Sequence, residues 1–168
     1  AVRAAHRSEH GGHVERAQHA QVDDLGGDAL PGQLLSRRPD IAIGADLIAG
    51  FPTETEAHHA ANLSIVEELQ IVHGHVFPYS PRPGTAASRM PQVAQPAVRE
   101  RAAELRAAVA SVRDAWLRSL VGRPLAVLAE RDGTGHASNF ARVRLPDGVH
   151  PGQIVTISPT HIDKGLLA

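Results

Sequence analysis

The sequence predicts an α/β protein that ends in a small antiparallel β-barrel. Three observations carry this prediction. Two short apolar runs flank a helical pattern between residues 41 and 77, an order typical of a strand–helix–strand unit with parallel strands. A long stripe of apolar residues at helical spacing follows, and after Arg123 the apolar spacing changes to two. We therefore divide the chain into residues 1–36, 37–122 and 123–168.

The strand–helix–strand unit spans the first two apolar runs. Residues 41–49 form a nearly continuous apolar run, as in a strand buried on both faces, and residues 71–77 form a second one. Between them, Thr53 followed by Glu56 has the form of a capping box, which predicts a helix ending near Leu69. One face of this helix is expected to carry Ala57, Ala61, Ile65 and Leu69.

The next helix has the clearest pattern in the sequence. Five prolines within residues 78–96 predict a structured loop before it, because proline continues neither a strand nor a helix interior. The apolar residues of the helix then recur at steps of three or four: Val98, Ala102, Leu105, Val109, Val112, Trp116 and Leu120. Each large member would contribute about 1.5–3 kcal/mol if fully buried, so the stripe is read as core. Gly122 is placed to end the helix.

The segment after the helix reads as short strands separated by turns. The strands are expected at 124–130, 139–145 and 153–158. Turn signals lie at 132–133, 146–148 and 151–152. About 45 residues of this pattern favour a small antiparallel barrel.

Histidines give weaker signals. His73 and His75 would share one strand face and could bind a metal, but no third ligand is apparent, so a core or surface role is favoured. His58 and His59 are expected at the surface of the first helix. The sequence from Gly133 to His136 is read as a hairpin turn because it is too short for a phosphate loop. Residues 1–36 contain four histidines and few large apolar residues, so we expect them to be weakly ordered.

Composition and charge narrow the function classes. The chain contains no cysteine, which excludes disulfides, thiol nucleophiles and thiolate-bound iron–sulfur clusters within it. No apolar run approaches the ~20 residues that cross a bilayer, so we expect a soluble cytoplasmic protein without a membrane partner. Residues 78–144 carry eleven arginines against five acidic residues. This surplus suits either a phosphate-contacting surface or a salt-bridged helix face, and charge alone favours the latter.

Two motifs are more specific than these patterns. Residues 44–54 read GADLIAGFPTE, and residues 75–85 read HVFPYSPRPGT, followed by Arg89-Met-Pro. In order and spacing they resemble the signatures of the radical-S-adenosylmethionine tRNA methylthiotransferases. The second motif most resembles the branch that adds a methylthio group to threonylcarbamoyladenosine beside the tRNA anticodon. The resemblance covers about Arg37 to Ala168.

This resemblance implies a fold and a cofactor site. Residues 37–122 would be the C-terminal part of a radical-SAM (βα) barrel, and residues 123–168 a TRAM-like RNA-binding barrel. The full-length family uses S-adenosylmethionine and 4Fe–4S clusters. Ligands of such barrels lie at the C-terminal ends of the strands. The candidate S-adenosylmethionine residues are therefore Gly50, Phe51, Pro52, Glu54, Phe77, Tyr79 and Ser80.

Each candidate has a functional and a structural interpretation. Gly50 would permit close approach of the backbone to the cofactor. Phe51, Phe77 and Tyr79 would form an apolar wall for the adenine ring, although ordinary packing explains Phe77 equally well. Glu54 also suits a helix N-terminus.

The resemblance also implies tRNA as the partner, with no DNA expected. The candidate RNA-binding residues are Arg82, Arg131, Asn139, Phe140, Arg142 and Arg144. The last three of these alternate with Ala141 and Val143, which would place an aromatic ring beside positive charge on one strand face. A plain solvent-facing strand is the alternative. Arg82 lies on a proline-stiffened loop, where it could contact a phosphate or remain solvated.

Departures from the family pattern limit what this chain can do. The Cys-x3-Cys-x2-Cys motif that binds the cluster is absent, as are the barrel strands expected before Arg37. We therefore expect no catalysis by this chain alone, and a non-catalytic RNA-binding module is the alternative function. An unrelated α/β protein of small-molecule metabolism is a third reading. Residues 1–36 do not resemble the expected family segment, and we hypothesise that they are a frame-shifted or misannotated translation.

Overall fold

The predicted pair of parallel strands is present in the protein, for which a computed structural model describes residues 37–38 and 40–168. Strand β1, Ile43–Ala49, pairs in parallel with β2, Ile71–Pro78, and Asp46 lies opposite His75. Residues 42–168 form one compact unit. Residues 1–36, for which weak order or a foreign origin was predicted, lie outside the described residues. None of the described helices is long and apolar enough to cross a bilayer.

Helix α1, Glu56–Glu68, joins the two strands, but the predicted N-cap was wrong. The N-cap is Thr55, whose side chain accepts from the backbone of His58, while His58 reaches back to Thr55. Thr53 instead has a φ of 69°, and its backbone N–H donates to Pro91. Of the predicted apolar face, Ile65 and Leu69 pack against the core, whereas Ala57 is exposed. The buried residues of α1 are His59 and Val66, so the expectation of a surface position for His59 was wrong.

Helix α2, Gln95–Leu120, connects two apolar cores. Its predicted stripe is buried except for Trp116, which is half-buried. The first part of the stripe packs with Val66, Ile71 and Val72 in a core between the helices and the two-stranded sheet. The last turns pack with residues of the C-terminal strands in a second core. Trp116 contacts both cores, so α2 fixes the C-terminal strands relative to the β1–β2 sheet.

The C-terminal segment forms one six-stranded sheet. Its strands are β3 Leu125–Ala129, β4 Thr134–Ala137, β5 Arg142–Arg144, β6 Ile154–Ile157, β7 Ile162–Asp163 and β8 Leu166–Leu167. The order is β6-β3-β4-β5-β8-β7, and the outer strands β6 and β7 are not paired with each other. The β5–β8 pair is parallel, so the expectation of a wholly antiparallel sheet was wrong at that pair. The sheet is open rather than closed into a barrel.

Strand β4 corrects the reading of residues 133–136 as a turn only. Gly133 makes the turn, with a φ of 74°, but Thr134 to Ala137 pair with β3 on one side and β5 on the other. Gly135 has no room for a side chain, because a Cβ there would lie 2.3 Å from the carbonyl oxygen of Leu128. The strands approach each other so closely here that position 135 must be glycine. The same glycine made the segment read as a turn in the sequence.

Candidate functional site

The loops that follow β1 and β2 lie side by side, as the sequence predicted. The backbone N–H of Tyr79 donates to the carbonyl of Ala49 over 2.8 Å, so the two strand ends remain paired where the loops begin. The rings of Phe51 and Tyr79 meet edge to face, with centroids 5.4 Å apart. The two aromatic candidates of these loops therefore form one half-buried pair. That geometry is compatible with a ring-binding wall, and the cofactor role stays a prediction.

Gly50 and Glu54 serve the fold of the first loop. Gly50 has a φ of 71°, and a Cβ there would lie 2.6 Å from Val98 of α2, so the close approach is to the helix. The backbone N–H of Gly50 donates to both oxygens of Glu54, at 3.2 and 3.1 Å. The carboxylate of Glu54 is buried and forms an ion pair with Arg101 at 3.0 Å. Pro52 is also fully buried. Glu54 therefore precedes the N-cap and does not act as a first-turn residue of α1.

The outer face of the β1–β2 sheet remains open. Strand pairing places Asp46 and Ile48 of β1 beside His75 and Phe77 of β2, and these four residues are exposed or half-exposed. Phe77 exposes 52% of its surface. The opposite face packs against the helices, since a Cβ on its Gly74 would lie 2.6 Å from Val109 of α2. Phe77 thus lies on a sheet face with exposed side chains, near the ends of two parallel strands. Ser80 is exposed just after β2.

A second candidate surface lies on the six-stranded sheet. Arg142 and Arg144 of β5 are exposed, while Ala141 and Val143 are fully buried, so the predicted alternation is present. Phe140 is 70% exposed but precedes the strand, in a turn where its φ is 62°. Bulky residues rarely adopt this conformation, which costs about 1–2 kcal/mol. The local fold thus holds an exposed phenyl ring in the turn that precedes the two exposed arginines of β5.

The other predicted RNA contacts are less directly arranged. Asn139 is buried, and its side-chain oxygen accepts from the backbone of Ala141, so it builds the turn that carries Phe140. Arg131 is exposed in the turn before β4. Arg82 is exposed in the separate loop after β2, where its carbonyl accepts from the backbone and side chain of Thr85.

Carboxylates neutralise both arginines of β5. Arg142 contacts Asp132 at 2.5 Å and Thr134 at 3.2 Å, and Arg144 contacts Asp163 at 3.2 Å. Hydrogen bonds from Thr134, together with the nearby guanidinium of Arg142, hold the pKa of Asp132 below its usual value. Asp132 therefore stays ionised near neutral pH. These pairs orient the two arginines on the surface.

Sequence reasoning missed the residues that connect the β1–β2 sheet with the exposed surface of the six-stranded sheet. A groove of about 590 Å³ is lined by Arg142 and Arg144 together with Arg113 of α2 and Lys164 of the β7–β8 turn. Arg113 also donates from Nη1 to Nδ1 of His73 over 3.3 Å. Arg113 is 40 positions from His73 and 51 from Lys164, and no spacing in the sequence could indicate that these residues meet.

His73 lies where β2, α2 and the Phe140 turn meet. Its ring contacts the rings of Trp116 and Phe140, at centroid distances of 5.5 and 6.4 Å. Its Nε2 lies 3.4 Å from the carbonyl oxygen of Asn139. A neutral ring protonated at Nε2 satisfies both this acceptor and the Arg113 donor. Burial lowers the pKa of His73 below 6.5, and Arg113 adds to that shift, while the Asn139 carbonyl opposes it.

The pKa of His73 predicts acid sensitivity. The unfolded chain takes up a proton near pH 6.5 that the folded chain resists, so the stability contributed by neutral His73 is lost as the pH falls below 6.5. We expect His73→Gln to lose less stability than the parent between pH 7.5 and 5.5, as measured by urea unfolding. His150→Gln, which replaces an exposed histidine, is the control. Equal losses for His73→Gln and the parent would contradict this assignment.

The chain is similar to known enzymes over most of its length. It is 36% identical over 135 residues to the threonylcarbamoyladenosine tRNA methylthiotransferase MtaB of Rickettsia prowazekii, a match that covers 80% of this chain and 32% of the relative. It is 40% identical over 123 residues to the tRNA-2-methylthio-N(6)-dimethylallyladenosine synthase of Erythrobacter litoralis, covering 73% and 24%. The Bartonella bacilliformis protein of the latter name is 34% identical over 143 residues, covering 84% and 27%.

The extent of these matches matters for their interpretation. The chain spans a third or less of the length of these relatives. The match over 143 residues is longer than the stretch 37–168, so it extends into the segment before Arg37. The origin of residues 1–36 stays a prediction. No family model matches the chain.

Proposed function

Because this chain is a homologue of one segment of the tRNA methylthiotransferases, we propose that it is the tRNA-holding C-terminal portion of such an enzyme. The complete enzyme would add a methylthio group to an adenosine beside the anticodon. Of the two substrates in the relatives' names, we favour threonylcarbamoyladenosine, because residues 75–85 carry the motif of that branch. We assign residues 37–122 to the end of a radical-SAM barrel and residues 123–168 to a TRAM-like module. A cytoplasmic location follows from the proposed tRNA substrate.

The exposed ring of Phe140 is the observation that carries the RNA-binding part of this proposal. The ring of Phe140 is 70% exposed and so contributes little to the core, and the backbone φ of this residue is 62°. Phe140 precedes Arg142 by two residues, and both arginines of β5 are paired with carboxylates. Proteins that hold single-stranded RNA combine aromatic stacking with a positively charged track for the backbone. Strain of this kind recurs where a side chain is held for binding.

The residues of this chain fit one of the family's two cofactors. S-adenosylmethionine would supply the adenosyl radical that starts the reaction. Phe51 and Tyr79 form an edge-to-face pair, and the buried Tyr79 hydroxyl has no hydrogen-bond partner among the described residues. The exposed Phe77 lies on the outer face of the β1–β2 sheet. These rings would offer apolar surface to a nucleoside, and the Tyr79 hydroxyl, being buried, could reach a ligand only if the loop moved.

The chain does not fit the iron–sulfur cluster. Thiolates are the usual cluster ligands, and the sequence contains no cysteine. Among residues 37–38 and 40–168, no three potential ligands of the His, Cys, Asp and Glu types are grouped to hold a metal ion. Cluster ligands would therefore come from outside this sequence. The chain by itself is expected to bind tRNA without turnover, which is also what the alternative, a non-catalytic RNA-binding module, would do.

A methylthiolation assay tests the catalytic part. The purified chain is incubated anaerobically with iron, sulfide, S-adenosylmethionine, a reductant and tRNA that carries threonylcarbamoyladenosine. We expect no methylthio product by mass spectrometry of the nucleosides. Any turnover by this chain alone would refute the assignment of the cluster ligands to another segment.

Phe140→Ala tests the RNA-binding part. We expect it to weaken binding of an unmodified tRNA transcript by about tenfold in fluorescence anisotropy, because stacking contributes about 1–3 kcal/mol per base. Phe140→Leu keeps the apolar bulk but has no aromatic face, so it should weaken tRNA binding by nearly the same factor. Ile154→Ala, at an exposed apolar residue of the same sheet, is the control. Parental affinity for both Phe140 variants would remove the main support for this proposal.

A further inference from the structure

The groove beside β5 has a charge distribution that suits an anionic ligand. Its walls come from α2, from the turn before β4, from β5 and from the β7–β8 turn. Four cationic side chains line it: Arg113, Arg142, Arg144 and Lys164. The two carboxylates in its wall, Asp132 and Asp163, are paired with the two arginines of β5. The groove therefore retains about two positive charges.

The uncompensated charges belong to Arg113 and Lys164. Among the residues that the structure describes, the recorded side-chain partner of Arg113 is the ring of His73, and Lys164 takes part in no ion pair. Lys164 has a φ of 50° at the tip of a two-residue hairpin turn, next to Gly165. These two cations come from elements that are distant in sequence, yet they face the same groove.

We propose that Arg113 and Lys164 bind a phosphodiester of the RNA backbone in this groove. The inference rests on the proposed function and adds to it a phosphate site outside the predicted contact residues. Arg113 holds a neutral imidazole nitrogen at 3.3 Å, which is a weak partner for a guanidinium. A phosphate offers Arg113 two charge-assisted hydrogen bonds in its preferred planar geometry. Lys164 adds a second positive charge to the same groove.

The contacts of His73 connect this phosphate site to the stacking surface. Arg113 contacts one nitrogen of the His73 ring, and the same ring meets Phe140 edge to face. A strand of RNA with a base stacked on Phe140 would therefore have its backbone within reach of the groove. Arg142 and Arg144, already neutralised by their carboxylates, would shape the groove more than they attract the ligand.

Two single variants and one matched control test the site. We expect Arg113→Gln and Lys164→Gln each to weaken tRNA binding by about fivefold at 150 mM salt and to lower the slope of log affinity against log salt by about one. Arg99→Gln replaces an exposed arginine of the same helix that does not line the groove, and its affinity and slope should match the parent. Thermal unfolding checks that each variant folds.

A second measurement separates this site from the proposed function. Inorganic phosphate and ribose 5-phosphate are titrated against the chain, and the side-chain NMR signals of Arg113 and Lys164 are followed, with chloride as the salt control. We expect both phosphates, and not chloride, to shift these signals. If Phe140→Ala weakens tRNA binding while Arg113→Gln and Lys164→Gln do not, the groove proposal fails and the RNA-binding function stands. If phosphate shifts the signals but tRNA does not bind, the groove stands as an anion site and the RNA-binding function fails.

Discussion

Arg101→Met is expected to lower the free energy of unfolding by about 3–5 kcal/mol, because it leaves a buried carboxylate without its partner. Arg101 is only 6% exposed in the middle of the α2 surface that covers the first loop. Its Nη1 lies 3.0 Å from both the carboxylate and the carbonyl of Glu54, and its Nη2 contacts Glu56. The side chain of Glu54 is 1% exposed, so water cannot replace the lost guanidinium.

Urea unfolding of the variant and two companions measures this effect. Adding Glu54→Gln to Arg101→Met removes the unpaired charge, so the double variant should recover part of the loss. Arg99→Met replaces an exposed arginine of the same helix and should stay within about 0.5 kcal/mol of the parent. A loss below 1 kcal/mol for Arg101→Met would show that the pair is not needed for stability.

Gly50→Ala is expected to lower the free energy of unfolding by about 2–5 kcal/mol, the second of the two largest effects. The φ of 71° at Gly50 is unfavourable for any residue with a Cβ, at about 1–2 kcal/mol. A Cβ would also lie 2.6 Å from a methyl group of Val98, and overpacking of this kind adds about 1–3 kcal/mol. The variant should also displace the loop that carries Phe51 and so weaken any binding of S-adenosylmethionine.

Two companions separate the backbone cost from the steric cost. Gly84 has a φ of 87° with nothing near its missing Cβ. Gly84→Ala should therefore lower the free energy of unfolding only by the cost of the positive φ. Adding Val98→Ala to Gly50→Ala removes the two methyl contacts at 2.6 and 2.9 Å and keeps the contact with the Cβ of residue 98 at 2.9 Å, so it relieves part of the clash and leaves a cavity in the core. If Gly50→Ala costs no more than Gly84→Ala in urea unfolding, then helix packing is not the reason for glycine at this position.

Much of the fold could be predicted because it depends on local periodicity. The continuity of the two apolar runs and the helical pattern between them predicted the parallel β1–β2 pair, and the steps of three and four in the long stripe predicted α2. The expected burial of β1 on both faces was wrong, because Asp46 and Ile48 are exposed on its outer face. Turn residues located the ends of the C-terminal strands. The two short strands of the β7–β8 hairpin were missed, because an element of two residues has no period.

The sequence predicted where the candidate residues lie in the fold better than it predicted what each of them contacts. The motif loops do lie together, with Tyr79 bonded to Ala49 and stacked edge-on against Phe51. The burial of His59, which contacts Glu104 of α2 at 2.5 Å, was not predictable because the partner is 45 positions away. The ion pair of Glu54 could not be predicted for the same reason, because the sequence does not indicate which carboxylate an arginine in another element will contact.

The sequence by itself determined the order of β1, α1, β2 and α2, the absence of cysteine from the chain and the kinship with tRNA methylthiotransferases. Tertiary structure alone decided that Gly50 faces Val98, that β5 and β8 run parallel, and that Arg113 and Lys164 meet in one groove. The physical reason is that periodicity reports which face of an element is apolar. The partner that covers that face, or that neutralises a charge, is set by how distant segments pack.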